Sequence, residues 1–220
     1  MTSRRPSNAL AFTRRLLKWF RRQGRHLPWR DTRDPYRVIV SEFMLQQTQV
    51  SRVQDYYARF LNRYPTIQDL ARARPAAVRE SWDGLGYYRR AAHLHALARA
   101  VVRDHGGRIP ADAEALRQLP GVGAYTAGAV GTFAFEQRVP AVDTNVARVL
   151  TRVFKPRLQP GTRGTRQLEG LARRVLPTRG RTAWAFSQAL MDLGALICTA
   201  RRPRCATCPV RPSCRTGRRR

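Results

Sequence analysis

An all-α fold is predicted by three features of the chain. Apolar residues recur at helical spacing in one segment after another, and no stretch alternates with the period of two that a half-buried strand requires. Glycine-centred breaks stand between the helical patterns where helical hairpins would turn. There is no solenoid-type repeat. With 43% hydrophobic content, 220 residues can bury one substantial core or two small ones.

The amino terminus, MTSRRPSNALAFTRRLLKWFRRQGR, is rich in arginine and free of acids. Leu10, Leu16, Leu17 and Phe20 form a stripe expected to pack a first helix onto the body. A transit peptide or a membrane-surface helix would share this composition. No run reaches the roughly 18 apolar residues of a membrane span. After Gly24, Pro28 and Pro35 keep the chain extended until a helix begins near Pro35, where proline is tolerated. Val38, Ile39, Val40, Phe43, Met44 and Leu45 make that helix apolar nearly all round, which requires burial. Glu42 lies inside it. Desolvation there would raise its pKa and suit it to general acid catalysis, whereas a cap or an arginine partner would lower it.

Thr48 is expected to cap the next helix, which carries Val50, Val53, Tyr57, Phe60 and Leu61; further caps are expected at Thr66 and before Ala76. Gly84-Leu85-Gly86-Tyr87-Tyr88 is a glycine turn whose tandem tyrosines either belong to the core or stack on bases. The helix after it carries Ala91, Leu94, Ala98, Val101 and Val102 and ends at Gly106-Gly107. His93 and His95 lie two apart, face different sides and make a poor metal pair.

A helical pattern from Ala113 to Leu119 breaks at Pro120-Gly121-Val122-Gly123 and resumes from Ala124 to Ala134. This turn is expected to leave the N–H groups of Val122, Gly123 and Ala124 pointing outward at a helix N-terminus, a cradle for phosphate. An ordinary helix–helix turn shares the pattern. Pro140-Ala141-Val142 then delivers Asp143, an N-cap by local rules, ahead of Val146, Val149, Leu150 and Val153. Residues 155–167 read as a loop, and 168–176 and 183–197 as two more helices.

Charge and cysteine usage narrow the partners. Forty-two basic against 14 acidic residues give a net charge of +28, far beyond what solubility needs. A polyanion is implied, nucleic acid first. The basic residues are nearly all arginine, lysine occurring only at Lys18 and Lys155. Cys198, Cys205, Cys208 and Cys214 all fall within the last 23 residues. Such clustering argues against a disulfide framework and for a local metal site in an intracellular protein. Intervals of six, two and five residues with a single C-x-x-C pair suit thiolates around a cuboidal iron–sulfur cluster better than a zinc ribbon.

Five stretches, SEFMLQQTQ, GLGYYRRAAHLH, LPGVGAYTAGAV, VDTNVARVL and FSQALMDLGALICTARRPRCATCPVRPSC, together resemble the helix-hairpin-helix DNA glycosylases that carry an iron–sulfur cluster. The resemblance covers about residues 24–214 and is nearer to the adenine-specific branch than to endonuclease III. It implies a two-lobed fold: an N-terminal helix (1–28) packing on the cluster lobe, a helical barrel lobe (29–140) with the hairpin, and a cluster lobe (141–220) with a basic tail. Double-stranded DNA bearing a mismatch or lesion would lie across the cleft between lobes. A [4Fe-4S] cofactor would be held by Cys198, Cys205, Cys208 and Cys214, in a monomer acting on nucleoid DNA in the cytoplasm.

Carried over by position, Glu42 would protonate a flipped adenine and Asp143 would stabilise or trap the oxocarbenium-like sugar. Arg25, Trp29, Arg30 and Gln188 match the adenine pocket, while Tyr125 and Asn145 match residues that orient the carboxylates and water. Gln46, Gln47 and Tyr87 match positions that fill or wedge the duplex. The endonuclease III branch has a lysine nucleophile where this chain has Tyr125, so the implied product is an abasic site. Asp143-Thr144-Asn145 stands where the adenine branch usually has Asp-Gly-Asn. Ending soon after Cys214, the chain is expected to lack the domain by which that branch reads oxoguanine. Mismatch-specific thymine/uracil glycosylases share the hairpin tyrosine and lack that domain, and form the second reading. The two acids together argue against a third, a non-catalytic DNA-binding module.

Overall fold

The computed structural model describes residues 6–155, 157–159 and 161–219. The first five residues of the arginine-rich terminus, Pro156 and Pro160 of the expected loop, and the final Arg220 lie outside the described residues. Among the described residues the regular structure is helical, with no strand, as the sequence predicts. The chain divides into two compact units, His26–Phe135 and Met1–Arg25 with Glu136–Arg220.

The first unit contains a short 3-10 turn (Pro28–Arg30) and helices α2 (Pro35–Leu45), α3 (Val50–Arg63), α4 (Ile67–Arg72), α5 (Pro75–Glu80), α6 (Arg89–His105), α7 (Ala113–Gln118) and α8 (Ala124–Phe133). Helix α2 is its axis. Asp34 caps it by accepting the Tyr36 N–H at 2.8 Å, and Pro35 takes the first helical position, where no N–H is needed. Its all-round apolar surface has a matching set of neighbours: α3, α6 and α8 all pack on it, and Val38, Ile39, Val40, Phe43 and Met44 are buried. Thr66 and Asp69 form a reciprocal capping box at α4. Gly106 closes α6 in the left-handed region.

Two expected caps are not made. Gln49, not Thr48, is the N-cap of α3, because the Thr48 hydroxyl turns back to the Gln46 carbonyl at 3.4 Å and closes the turn leaving α2. Before Ala76, Arg74 stands at the cap of α5 with no side-chain bond, and Pro75 starts the helix instead.

The second unit contains α1 (Ala9–Gln23), α9 (Thr144–Phe154), α10 (Thr162–Val175) and α11 (Gly180–Leu196), followed by 3-10 turns at Arg211–Ser213 and Gly217–Arg219. Helix α11 packs on α1 and α9, and α10 packs on α9. Phe12 meets Phe154 and Phe186 edge to face, at centroid distances of 5.2 and 6.0 Å. The buried stripe of α1 is Ala9, Phe12, Leu16 and Trp19, with Leu17 and Phe20 flanking it. Leu10 is outside it and 67% exposed, since one residue after Ala9 is about 100° round the helix. Helix α10 begins at Thr162, inside the segment expected to be loop. Its apolar residues all lie from Leu168 onward, at Leu168, Leu171, Ala172 and Val175, so only that part shows helical periodicity. No helix among the described residues is long and apolar enough to cross a membrane.

One glycine sets the spacing between α9 and α11. A Cβ on Gly194 would lie 2.6 Å from Asn145 Cβ and 3.1 Å from its Cα, so only glycine lets α11 approach the first turn of α9 this closely.

Candidate active site

In the first unit, Glu42 sits in the C-terminal half of α2 and is 6% exposed, as its apolar surroundings imply. Trp29 and Arg30 occupy the 3-10 turn before α2 and are buried; the Trp29 ring meets Tyr57 edge to face at 5.5 Å. The chain leaving α2 carries Gln46 and Gln47, and Gln47 adopts a left-handed φ of 56°. These two glutamines line one groove together with Tyr87, Tyr88, Arg89, Arg90 and His93. Tyr87 is 62% exposed and Tyr88 38%, so neither is a core residue. His95, by contrast, is buried on α6 while its neighbour His93 faces the groove, which separates the two histidines as their spacing implies.

The hairpin turn joins α7 to α8 and divides its glycines by role. Gly121 has φ 76°, and a Cβ there would lie 2.8 Å from His93 Cβ and 2.9 Å from Phe43 Cε1. Gly123 is the N-cap of α8, has extended backbone, and faces open space, with no side-chain cap on the helix start. Helix α8 therefore presents its first N–H groups at an exposed glycine and an exposed alanine, Ala124. Val122 does not share in this cradle: it is buried, and its N–H donates to the Leu119 carbonyl at 3.1 Å to close the turn. Tyr125 follows as the second residue of α8.

The two glycines are expected to respond oppositely to substitution. Gly121→Ala should cost about 2 kcal/mol or more, combining left-handed strain with overpacking against His93 and Phe43. Gly123→Ser meets nothing and supplies a cap, so stability should stay within about 0.5 kcal/mol of wild type or rise. Denaturant midpoints of the two variants check this contrast.

In the second unit, Asp143 caps α9: its Oδ1 accepts the Val146 N–H at 2.7 Å and its Oδ2 accepts from Asn145 Nδ2 at 3.0 Å. Asn145 Oδ1 accepts in turn from Arg148 Nη2 at 2.7 Å, and Arg148 Nε donates to the Cys198 carbonyl at 2.8 Å. A hydrogen-bonded chain thus runs from the Asp143 carboxylate to the first cysteine. Gln188 is buried on α11. Arg25, expected beside it, binds Asp192 one turn further along α11: its Nη2 lies 2.6 Å and its Nε 2.8 Å from Oδ1, and its backbone N–H donates to Oδ2 at 2.8 Å.

Cys198, Cys205, Cys208 and Cys214 are free thiols that line one cavity with otherwise mostly apolar walls, including Val149, Val153, Leu193 and Ile197. Gly217 N–H donates to Cys214 Sγ at 3.2 Å, and Arg152 Nη1 lies 3.4 Å from Cys198 Sγ. Burial, reinforced by the other three sulfurs, pushes the Cys208 thiol up to about 11. Among the described residues, no three His, Cys, Asp or Glu side chains converge on a point as ligands of a single metal ion.

The structure thus gathers Gln46, Gln47 and Tyr87 in one groove, ties Asp143 to Asn145, and brings the four cysteines around one cavity. Glu42, Trp29, Arg30 and Tyr125 belong to the first unit, whereas Arg25, Asp143, Asn145 and Gln188 belong to the second. Sequence reasoning missed Arg90, Arg148, Arg152 and Asp192. Asp192 was findable as the lone acid of α11, one helical turn from Gln188, and Arg148 as the residue one turn from Asn145.

A family model described as HhH-GPD superfamily base excision DNA repair protein matches residues 40–173. The chain belongs to this superfamily. The matched span of this HhH-GPD chain takes in Glu42, the hairpin, Asp143 and Asn145, and stops short of Gln188 and the cysteines. The adenine DNA glycosylase of Mycobacterium tuberculosis is 47% identical over 196 residues, covering 89% of this chain and 64% of that protein. The HhH-GPD chain thus spans less than two thirds of the length of that relative. The thymine-DNA glycosylase of Aeropyrum pernix is 39% identical over 213 residues, with 93% of each covered. A solved structure of a thermostable thymine-DNA glycosylase superposes with a TM-score of 0.89 at 32% identity, covering 97% of this chain and 98% of that one.

Proposed function

We propose that the chain is a monofunctional DNA N-glycosylase. It hydrolyses the N-glycosidic bond of a mismatched adenine, opposite guanine or oxoguanine, flipped out of duplex DNA, and leaves an abasic site. The observation that carries this reading is the carboxyl of Glu42, withdrawn from water in a chain whose relatives include adenine DNA glycosylases. A purine leaves easily only once a ring nitrogen is protonated, and a carboxyl shielded inside an apolar helix is placed for that transfer. Asp143 supplies negative charge to the sugar cation that develops as the bond breaks. Its two oxygens are already oriented by Val146 N–H and Asn145. Arg25, Trp29, Arg30 and Gln188 would form the base pocket, and Tyr125 would order the reacting water in place of an amine nucleophile. Gln46, Gln47 and Tyr87 would fill the gap in the duplex, while Gly123 and Ala124 grip phosphate. Residues 29–140 would serve as the barrel lobe, and 141–220 with the N-terminal helix as the cluster lobe. The +28 charge supports duplex DNA as the partner.

A thymine/uracil mismatch glycosylase is the second reading, favoured by the close superposition on a thymine-DNA glycosylase. Single-turnover release of free adenine or thymine from matched and mismatched duplexes separates the two.

A [4Fe-4S] cluster would be held by Cys198, Cys205, Cys208 and Cys214, which line one cavity. The four thiols share one otherwise mostly apolar cavity, and N–H donors from Gly217 and Arg152 face two of the sulfurs, as suits thiolate ligands. When bound, the cluster would cross-link residues 198–214 into one rigid segment. Purified protein is expected to carry about four iron and four sulfide per chain. One zinc without sulfide would contradict the assignment. Cys205→Ser should lower thermal stability and duplex affinity.

A further inference from the structure

Arg90 is buried, 7% exposed, and its guanidinium is held almost entirely by backbone carbonyls. Nη1 donates to Phe43 O at 2.9 Å, Met44 O at 2.7 Å and Gln46 O at 2.5 Å. Nη2 donates to Gly86 O at 3.0 Å and Leu85 O at 3.4 Å, and Nε reaches Tyr87 O at 3.5 Å. The acceptors belong to two segments about forty residues apart in the chain. Those of Phe43 and Met44 are among the last carbonyls of α2, which the helix leaves without partners and where its dipole favours a cation. The guanidinium also lies 5.5 Å from the Trp82 ring centroid and 5.6 Å from that of Tyr87.

The pattern of carbonyls is informative. Gln47 and Tyr87, at φ 56° and 50°, are two of the three non-glycine residues with positive φ among those described. This conformation is unfavourable for side chains with a Cβ and persists where the surroundings hold it. The peptide plane entering each of them ends in a carbonyl bound by Arg90: Gln46 O for Gln47, and Gly86 O for Tyr87. A single planar fork therefore orients both planes.

We propose that Arg90 is a positioning residue that locks the Gln46-Gln47 segment and the Gly86-Tyr87 turn into one preset edge for opening the duplex and extruding a base. The inference rests on the reading above that Gln46, Gln47 and Tyr87 contact DNA. Arg90 itself, buried and occupied by carbonyls, does not take a phosphate. Lysine preserves the charge but is a point donor without the fork, so it cannot hold both segments at once.

The test uses the holo protein and a duplex with 2-aminopurine next to the target nucleotide, whose fluorescence rises when the base beside it leaves the stack. Arg90→Lys should keep affinity for undamaged duplex while losing most of that rise and slowing base release about tenfold or more. A role confined to stability would lower the melting temperature without changing the rise per folded molecule. Combined with Gln47→Ala and Tyr87→Ala together, Arg90→Lys should add no further loss, because the two alanines already remove the side chains on both halves of the edge. Losses that multiply, or an unchanged fluorescence rise, would overturn the proposal. Should Arg90→Lys fail to fold, wild-type backbone order parameters decide: Gln47 and Tyr87 near about 0.85 uphold a locked edge, and values below about 0.6 refute it. The extrusion readout does not depend on which base is released. Failure of the adenine assignment is therefore distinguishable from failure of this one.

Discussion

Glu42→Gln is expected to lower single-turnover adenine release by about 10²–10⁴-fold, the usual contribution of a general acid, while leaving mismatch binding nearly intact. The amide matches the carboxyl in size, so the packing of α2 against α3, α6 and α8 is preserved. What is lost is the proton. Glu42 is 6% exposed, which leaves little room for water to deliver that proton in its place. Release at the wild-type rate would remove Glu42 as the acid without touching the fold.

Asp143→Asn should lower release by about 10²–10³-fold through loss of the negative charge facing the sugar cation. The variant separates catalysis from architecture because Asp143 is also the N-cap of α9. Asparagine caps a helix about as well as aspartate, so the bond from Val146 N–H can be kept and stability should change by about 0.5 kcal/mol or less. Measuring release rate and melting temperature on the same preparation checks both halves. A large fall in stability with a proportionate fall in rate would show that Asp143 acts as a cap alone.

The fold was legible in the sequence wherever an apolar stripe ran the full length of a helix. Helix α2 could be read as buried from its all-round apolar surface, and α9 from Val146, Val149, Leu150 and Val153 behind the cap at Asp143. Helix α10 was only half legible because the residues of its first two turns pack little apolar surface. Thr48 has the side chain of a cap but not the place of one, since the Gln46 carbonyl lies within reach of its hydroxyl and the helix starts a residue later. Leu10 has the hydrophobicity of a core residue but the wrong angle about α1.

Of the candidate site, local rules identified Glu42, Asp143 and the hairpin glycines, because burial, capping and turn geometry are short-range properties. The same rules could not assign Gly121 to steric need and Gly123 to open space, a difference that depends on His93 and Phe43. Nor could they find the carbonyls that hold Arg90 and Arg148, or tell that Arg25 is the arginine paired with Asp192. These partners are brought close by packing, and a chain with 42 basic residues offers no pattern that marks three arginines as buried or bound.

The central claim is most directly tested by single-turnover base release from a duplex panel presenting adenine, thymine or uracil opposite each normal base and opposite oxoguanine. Free adenine released from A:G and A:oxoguanine, with an intact abasic strand and with A:T untouched, is the expected result. Thymine or uracil released from pairs with guanine, with adenine retained opposite every partner, would contradict it.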